Sequence, residues 1–474
     1  MRILRRVPVL AVLAIVAVAC SSGGTTTAAP GGSTAASTPA PATAPATAEA
    51  SAPASESAPP AAVATPEPAK DCARTSDESA MQMWERSGGN KGMVDQLVCD
   101  WNTANPGKLI NLSYIPHAEM VGKIAQATAS GEVPDLMGMD LIYAPQFENA
   151  GQLVDLTDKI SSWPELTTAS PGHMTVATFN DRLYGVPLYA DVSALFYNKD
   201  LFKQAGLDPN KPPTSLAEIR EYADKISALG GDIKGYYLPG NCAGCNIFTV
   251  GPLMWATGET TIEAGKCGDE PLVGPGVAEV LQWARDMIKA GNVHDTDRSE
   301  TGETFHLQFG SGKVGMMGTG NFNITLANDQ MKDHPFEFGI TNLPGKDPGS
   351  SASFIGGDLV VVPQGSERVD DAVEFMKFIL SDNEQVEGYA KLLNLTTRSD
   401  MANNKYFQEE PLVQDVAKAL EVGTTPYTLT FFEQINSPQG PWLQMLQKAY
   451  YTDEPIDAII AAAKQQMKDI SCQS

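Results

Sequence analysis

The sequence predicts an α/β protein that follows an N-terminal export segment and a tether. Two observations predict this fold class. From residue 79 onward, short apolar strand patterns alternate with stretches of helical periodicity, and helices dominate the last hundred residues. The roughly 400 residues after position 70 are enough for two domains of ordinary size.

The elements are predicted in chain order from their apolar periodicity and their end signals. Strands are predicted at 79–84, 109–115 and 134–140. Helices are predicted at 92–103, 118–130, 215–229, 277–290, 371–380, 384–393 and 456–467. Gly131 and Gly291 end two of these helices, and Ser215 with Glu218 forms a capping box that opens a third.

The N-terminus has the organisation of an export signal. Three arginines accompany the apolar run 7–19, which at 13 residues is too short to span a bilayer as a helix. The run ends in Ala-Val-Ala before Cys20, and small residues before a cysteine resemble the lipobox of bacterial lipoproteins. The resemblance implies that 1–20 is a lipoprotein signal peptide and that Cys20 is acylated. Ordinary secretion is the alternative, and both place the protein outside the cytoplasm.

Residues 21–72 are predicted to form a disordered tether. Between positions 21 and 70 the chain holds 17 Ala, 15 Ser or Thr and 9 Pro. Such a stretch cannot bury enough apolar surface to offset the entropy of ordering it. Fully extended it would reach roughly 150 Å, which suits a domain held at a membrane surface.

Charge and cysteine content narrow the class of protein. The formal net charge is −24, and no basic run is present. This argues against nucleic acid and anionic lipid head groups as partners, because both need clustered Lys and Arg. Six cysteines follow Cys20, an even number that permits disulfides in an oxidising compartment.

The sequence carries no recognisable catalytic or metal-binding motif, so neither a cofactor nor a metal is predicted. The five histidines are scattered without ligand spacing, and a nucleophile elbow, a phosphate-binding loop and a dinucleotide fingerprint are all missing. Cys242 and Cys245 have the spacing of a redox motif, but their Gly- and Asn-containing loop favours a structural disulfide region. The protein is therefore predicted not to be an enzyme.

Aromatic residues recur beside polar residues at strand ends and in loops. Examples are Trp84 with Glu85, Tyr189 with Asp191, and the segment 356–358. Aromatic faces cover the C–H faces of neutral sugars, whereas carboxylates and amides bind their hydroxyls. Open α/β sheets bind ligands at the carboxyl ends of their strands. The pattern therefore predicts a carbohydrate site.

Five segments occur in a characteristic order. They are Gly-Glu-Val-Pro-Asp-Leu at 131–136, Tyr-Gly-Val-Pro at 184–187, Ala-Leu-Phe-Tyr-Asn-Lys-Asp-Leu-Phe at 194–202, Pro-Thr-Ser at 213–215 and Gly-Lys-Val-Gly-Met-Met-Gly at 312–318. Together they resemble the extracellular solute-binding proteins (family 1) of bacterial ABC importers, in the sugar-binding group that includes maltose-binding protein. The resemblance covers 75–470 and implies a two-lobed periplasmic-binding-protein-like fold of type II, with the ligand cleft between the lobes.

The resemblance also implies how the chain is divided. Crossovers between the lobes are expected near 187–191, 318–323 and 354–358. Lobe one would then comprise 73–189 plus 320–353, and lobe two 190–319 plus 354–474. Such lobes close around a hinge as rigid bodies.

This division implies disulfides within each lobe, because a bridge between the lobes would block closure. Lobe one would hold Cys72 and Cys99, which are expected to pair. The pairing in lobe two is left open among Cys242, Cys245, Cys267 and Cys472.

Twelve positions are expected to contact the ligand, from the family pattern and from the aromatic–polar pattern. They are Trp84, Glu85, Asp140, Asp191, Asn246, Phe248, Asn321, Phe322, Gly357, Asp358, Arg398 and Trp442. The maltose-binding pattern has an acidic residue and a tyrosine where this chain has Asn246 and Phe248, and often a tryptophan at Phe322. These departures favour a small or differently shaped saccharide.

The predicted function is capture of a mono- or oligosaccharide by lobe closure and its delivery to an ABC importer permease. The protein is predicted to be a monomer, anchored to the outer face of the cytoplasmic membrane through lipid on Cys20. One alternative is the same fold binding a polyamine, which would suit the acidic candidates, or a phosphodiester, which their single arginine disfavours. A second alternative is a secreted glycoside hydrolase that uses two of the carboxylates.

Overall fold

The computed structural model describes residues 69–87, 90–116, 119–302, 304–332 and 335–473. The predicted signal peptide with Cys20, and the predicted tether up to residue 68, lie outside the described residues. Within the described ranges, no helix combines the length and the apolar character needed to cross a membrane.

Strands and helices alternate from residue 81, as predicted. The first part of the chain forms β1 (Met81–Arg86), α1 (Lys91–Ala104), β2 (Ile110–Ile115), α2 (Met120–Ser130), β3 (Leu136–Asp140), α3 (Ala144–Asn149), α4 (Thr157–Ile160), α5 (Pro171–Val176), β4 (Thr178–Phe179), β5 (Arg182–Leu183) and β6 (Gly185–Asn198). α2 ends at Gly131, whose φ of +76° is a left-handed conformation that glycine adopts without strain. Position 118, where this helix was predicted to begin, lies outside the described residues.

The rest of the chain is richer in helix. It forms α6 (Lys199–Gln204), α7 (Leu216–Ser227), β7 (Lys234–Tyr236), α8 (Ala243–Thr249), α9 (Gly251–Ala256), α10 (Pro275–Lys289), β8 (Val314–Gly320), α11 (Asn323–Gln330), β9 (Phe338–Thr341), β10 (Leu343–Pro344), β11 (Ser351–Val361), α12 (Val369–Ile379), α13 (Lys405–Glu409), α14 (Pro411–Ala417), β12 (Gly423–Thr424), α15 (Pro441–Tyr451) and α16 (Ile456–Ser471). Ser215 caps α7, because its hydroxyl accepts the backbone N–H of Glu218 at 3.2 Å.

One predicted helix has a different form. The segment predicted at 384–393 is a π-helix at Glu384–Tyr389 followed by a 3-10 turn at Ala390–Leu392. Gly388 lies against α1 here, where an added Cβ would come within 2.8 Å of the Leu97 side chain. This close approach of the backbone accompanies the departure from regular α-helical spacing.

Most strands belong to one sheet, in the order β2-β1-β3-β11-β6-β8-β7. β1 pairs in parallel with β2 and β3, as connections through α1 and α2 require. The long strands β6 and β11 run antiparallel to each other. Along β6, residues 185–192 pair with β11, whereas residues 193–198 pair with β8 and β9. β6 therefore joins the first half of the sheet (β1, β2 and β3) to the second half (β7, β8 and β9).

The three ranges predicted as crossovers lie in or beside the long strands, and two segments pack outside the lobe to which the sequence analysis assigned them. The ranges 187–191 and 354–358 lie within β6 and β11, and 318–323 contains the end of β8. β9 was assigned to lobe one, yet it pairs with residues 195–198 of β6, which were assigned to lobe two. α12 was assigned to lobe two, yet it packs on α1. The reason is that β11 returns the chain to the first half of the sheet, where it pairs with β3.

The six cysteines that follow Cys20 form three disulfides. Cys72 pairs with Cys99, as predicted. The pairing that the sequence left open is Cys242 with Cys245 and Cys267 with Cys472. The last of these bridges two cysteines 205 residues apart and ties the end of α16 to the segment before α10. Closing so long a loop restricts the unfolded chain.

Candidate functional site

Charged side chains from four neighbouring strands meet where β6 and β11 cross. β1 ends with Glu85 and Arg86, β3 ends with Asp140, and β6 and β11 supply Asp191 and Asp358. Asp140 is the direct partner of Asp358 in the register of β3 and β11. We call these five residues the strand-end cluster. It brings together the four carboxylates that the sequence analysis singled out as candidate ligand contacts.

Arg86 is the centre of the strand-end cluster, and the sequence analysis missed it. Its Nε donates to the two carboxylate oxygens of Asp358 at 2.7 and 3.0 Å, and its Nη2 lies 2.6 Å from Asp358 Oδ1. Its Nη1 lies 3.7 Å from Asp140 Oδ2, and the guanidinium carbon lies 5.8 Å from the centre of the Tyr189 ring. Burial alone would lower the pKa of Arg86, but the charge of Asp358 and of its other neighbours raises it well above the usual value. An arginine that ends an otherwise largely apolar strand was the available sequence signal.

Glu85 lies beside this ion pair and is buried. Its side chain is buried against Gly138, where an added Cβ would come within 1.4 Å of Glu85 Oε2. Burial, together with the neighbouring charge of Asp358, raises the pKa of Glu85 well above its usual value. A protonated Glu85 can hydrogen-bond to Asp358 and support it without adding a charge.

Asp191 presents an oxygen that has no protein partner. Its Oδ1 is buried without a hydrogen bond among the described residues, and burial raises the pKa of Asp191 to about 7. Burial also raises the pKa of Asp140 to about 6, against the opposing charge of Arg86. Buried polar atoms in folded proteins almost always have a partner. Asp191 Oδ1 therefore keeps an unused capacity to accept a hydrogen bond.

The raised pKa of Asp191 predicts that the protein is more stable in mild acid than above neutrality. The folded state keeps this proton up to a pKa of about 7, whereas the unfolded chain releases it near the ordinary value of 3.8. The unfolded state binds fewer protons in this window, so stability falls as the pH rises through it. The free energy of unfolding should be lower at a pH of about 8 than at about 5, and Asp191→Asn should reduce that difference by at least about 1 kcal/mol.

The control for this experiment is an exposed aspartate on α10. Asp286→Asn should leave the difference between the two pH values unchanged, because Asp286 is exposed in the folded protein. If Asp191→Asn had no more effect than Asp286→Asn, the Asp191 carboxyl would not hold a proton in the folded state, and the burial argument would fail.

A row of aromatic rings lies beside the strand-end cluster. Phe248 and Phe322 stack with their ring centres 6.2 Å apart at 23°. Phe248 also lies 5.4 Å from Phe354, which stacks with Trp255 at 6.1 Å. Phe354 comes two residues before the direct strand partner of Asp191. Both Phe248 and Phe322 are half-buried, so each keeps surface that can cover a sugar ring.

Trp84 lies on the same face of β1 as Arg86, because side chains two residues apart on a strand share a face. Its ring is half-buried, and Lys123 Nζ lies 4.7 Å from its centre. Trp84 is therefore positioned next to the strand-end cluster, on the side of the first half of the sheet.

Asn246 and Trp442 are not brought to the cluster, because their polar groups are already engaged inside the second half of the molecule. Asn246 is fully buried; its Nδ2 donates to the Cys242 carbonyl at 2.8 Å, and its Oδ1 accepts the Tyr450 hydroxyl at 2.9 Å. Trp442 has an exposed fraction of 0 %, and its Nε1 donates to the Ala243 carbonyl at 3.2 Å. The structure therefore corrects both expectations, and both side chains belong to the core.

Arg398 is also engaged elsewhere. It ion-pairs with Asp382 at 2.7 Å and with Asp400 at 2.5 Å, and it donates to the Leu380 carbonyl at 2.8 Å. These contacts tie together the segment after α12. The structure does not place Arg398 in the strand-end cluster.

Asn321 and Gly357 lie near the cluster, where their contacts are with the backbone of β6. Asn321 Oδ1 accepts the Val192 N–H at 2.9 Å and so links the end of β8 to β6. Gly357 has a φ of +115°, and an added Cβ would lie 2.0 Å from the Tyr189 carbonyl oxygen. Only glycine permits this approach of β11 to β6. Both residues therefore shape the crossing of the strands.

A further contact near the site joins two residues that are 293 positions apart, and no sequence pattern indicated their pairing. The Tyr143 hydroxyl accepts Asn436 Nδ2 at 2.8 Å, and the Tyr143 ring meets the Phe431 ring edge-on at 6.1 Å. This contact joins segments that the sequence analysis assigned to different lobes. In the part of the chain that the structure describes, no group of three or more His, Cys, Asp or Glu side chains could hold a metal ion.

The chain is similar to known proteins of one family. A family model described as bacterial extracellular solute-binding protein matches residues 96–415. The arabinooligosaccharide-binding protein of Bacillus subtilis is 25% identical over 324 residues, which cover 65% of this chain and 71% of the relative. The maltooligosaccharide ABC transporter solute-binding lipoprotein of Streptococcus pneumoniae is 24% identical over 337 residues, which cover 68% and 73%.

A solved structure shows the same fold. The cyclic alpha-maltosyl-1,6-maltose binding protein from Arthrobacter globiformis matches with a TM-score of 0.69 and 24% identity, over 83% of this chain and 99% of that chain. The likeness confirms the predicted two-lobed fold. Because the family model matches well over half of its sequence, this protein belongs to the bacterial extracellular solute-binding protein family.

Proposed function

We propose that this protein is the substrate-binding component of an ABC importer and that it captures a carbohydrate between its lobes. Membership of the solute-binding family supports the role in transport. The names of relatives that bind arabinooligosaccharides and maltooligosaccharides support a saccharide as the cargo. The protein itself has a binding role and leaves the ligand chemically unchanged.

The observation that carries this proposal is the unpartnered Asp191 oxygen beside the aromatic row. A sugar offers hydroxyls to such an oxygen and a C–H face to half-buried rings such as Phe248 and Phe322. Arg86 holds Asp358 and Asp140 in place, so these acceptors are positioned before a ligand arrives. Such preorganisation reduces the entropy cost of binding.

Lobe closure would complete the site. The Tyr143–Asn436 hydrogen bond joins the two sides of the molecule next to the strand-end cluster. A ligand that contacts both lobes stabilises the closed state only to the extent that it binds that state more tightly than the open one. We therefore expect the bound sugar to touch residues of both lobes.

A thermal-shift screen against mono- and oligosaccharides tests the proposal, followed by titration calorimetry on each compound that raises the melting temperature. A polyamine and a phosphodiester belong in the same panel as the competing cargo classes. A saccharide that raises the melting temperature and is recovered intact supports the proposal. A shift with the polyamine alone, or conversion of a glycoside to products, would replace it.

Trp84→Ala is expected to weaken binding of that saccharide by about 1–3 kcal/mol, because the ring would no longer cover the sugar face. Trp163→Ala is the matched control. Trp163 also has a lysine over its ring, with Lys377 Nζ 4.9 Å from the ring centre, but it packs on the core around α1 rather than beside the strand-end cluster. Equal affinities of the two variants in calorimetry would remove Trp84 from the site.

We further propose that lipid on Cys20 anchors the protein to the outer face of the cytoplasmic membrane. The Ala-Val-Ala sequence before Cys20 supports this, as does the lipoprotein named among the relatives. Cells fed an alkyne-tagged fatty acid should label the wild type, whereas Cys20→Ser should lose the label and leave the membrane fraction. An unlabelled wild type would point to ordinary secretion.

A further inference from the structure

A groove that shares no lining residue with the strand-end cluster lies between α1 and the π-helix at Glu384–Tyr389. Its volume is about 440 Å³, within the range of roughly 300–1,000 Å³ that is usual for small-molecule sites. π-helical turns recur at functional sites. The lining residues that matter for its chemistry are Gln96, Asp100, Phe378, Asn383, Glu384 and Leu392.

Glu384 provides an unsatisfied carboxylate on this groove. Its exposed fraction is 3 %, and its Oε2 has no hydrogen-bond partner among the residues that the structure describes. Its Oε1 accepts the side-chain amide of Asn383 at 2.9 Å. Burial raises the pKa of Glu384, and the charges of Asp100 and Glu387 raise it further. A buried carboxylate in this state gains most from a cationic donor.

Asp100 faces the same groove and likewise has no cationic partner. It accepts Gln96 Nε2 at 2.9 Å, and no ion pair with Lys or Arg within 4 Å is present among the described residues for either Asp100 or Glu384. An amide donor leaves the charge of a carboxylate uncompensated. The two carboxylates therefore leave room for one more donor that carries a positive charge.

Glu387, the third acidic residue of the groove, is already neutralised. Its Oε1 lies 2.6 Å from Lys405 Nζ, and its Oε2 accepts the Tyr406 hydroxyl at 2.8 Å and lies 3.8 Å from Lys391 Nζ. Lys391 also lines the groove, so Asp100 and Glu384 are the carboxylates of the lining that have no lysine or arginine partner among the described residues.

The groove is also lined by apolar side chains. Phe378 is held by an edge-to-face contact with Trp101, with ring centres 5.4 Å apart, and it keeps part of its surface exposed. Leu392 is one of the exposed large apolar side chains, with an exposed fraction of 36 %. An apolar wall beside a pair of carboxylates fits a ligand with a charged head and an apolar body.

We propose that this groove is a second binding site, which accepts a small organic cation with a primary ammonium group on an apolar body. The ammonium group would donate to the carboxylates of Glu384 and Asp100, and the body would lie on Phe378 and Leu392. The site is separate from the carbohydrate site and does not depend on the proposed transport function.

Calorimetric titration of the purified protein with phenethylamine tests the proposal, with 2-phenylethanol as the uncharged counterpart of the same shape. The amine should bind and the alcohol should not. Asp100→Asn and Glu384→Gln should each weaken amine binding about tenfold or more, since each removes a charged hydrogen-bond acceptor. Asp286→Asn on α10 is the matched control. Gln282 Nε2 donates to Asp286 across one helical turn at 2.9 Å, in the same way as Gln96 Nε2 donates to Asp100 on α1.

A second variant avoids the risk that loss of a buried carboxylate disturbs folding. Ala104 is an exposed residue on the rim of the groove, so Ala104→Phe should block the groove without removing a native contact. It should abolish amine binding, whereas Asp191→Asn should leave it intact. The proposal would be overturned if phenethylamine failed to bind, or if the amine and the alcohol bound equally. It would also be overturned if Asp191→Asn lost amine binding and Ala104→Phe kept it.

Discussion

Arg86→Met is expected to lower the free energy of unfolding by about 3–5 kcal/mol, because it leaves the carboxylate of Asp358 buried without a counter-ion. The Asp358 side chain has an exposed fraction of 0 %, and Arg86 binds both of its oxygens. Methionine keeps much of the apolar stem of the side chain, so the loss reports the charge rather than the volume. Urea unfolding of the two proteins measures the difference.

Two further variants show whether the lost charge is the cause. Arg86→Met combined with Asp358→Asn should recover part of the stability, because no buried charge is then left alone. Arg398→Met should cost less than Arg86→Met, because the partners of Arg398, Asp382 and Asp400, have side chains that are 76% and 37% exposed and can be solvated by water. An equal loss for Arg86→Met and Arg398→Met would mean that burial of Asp358 is not decisive.

The parts of the fold that depend on local pattern could be predicted from the sequence. The alternation of apolar strands with periodic helices gave the order from β1 to β3, and Gly131 and Ser215 marked helix ends correctly. The order of strands in the sheet, where β11 inserts between β3 and β6, depends on pairings across more than 150 residues of sequence. The two-lobed fold could therefore be predicted only from the family resemblance.

The composition of the strand-end cluster could be read only in part from the sequence, for the same reason. The carboxylates at the ends of strands could be identified, because strand ends are visible in the sequence. Arg86 was missed, since its partner Asp358 is 272 residues away. Asn246 was misassigned, because the Tyr450 hydroxyl that satisfies it comes from a helix 204 residues later. Residue type shows what a side chain can bind, but only the tertiary fold shows whether it is already engaged.

Trp442 lies on a helix face whose periodicity in the sequence predicts burial. Trp442, Met445, Leu446 and Ala449 recur at the spacing of one helix face, and all four are buried in the core on which α15 packs. A residue in such a series is expected to face the core rather than a ligand. Its apparent place in an aromatic–polar pattern therefore had a structural explanation.

Trp442→Ala is accordingly expected to lower the free energy of unfolding by about 3–5 kcal/mol, because it opens a large cavity and leaves the Ala243 carbonyl without its donor. Trp442→Phe keeps most of the ring and should cost less. Trp84→Ala should show the opposite profile, with a smaller effect on urea unfolding and a weaker affinity for the saccharide. If Trp442→Ala instead left the unfolding midpoint unchanged and abolished saccharide binding, Trp442 would contact the ligand in a conformation in which this helix is exposed.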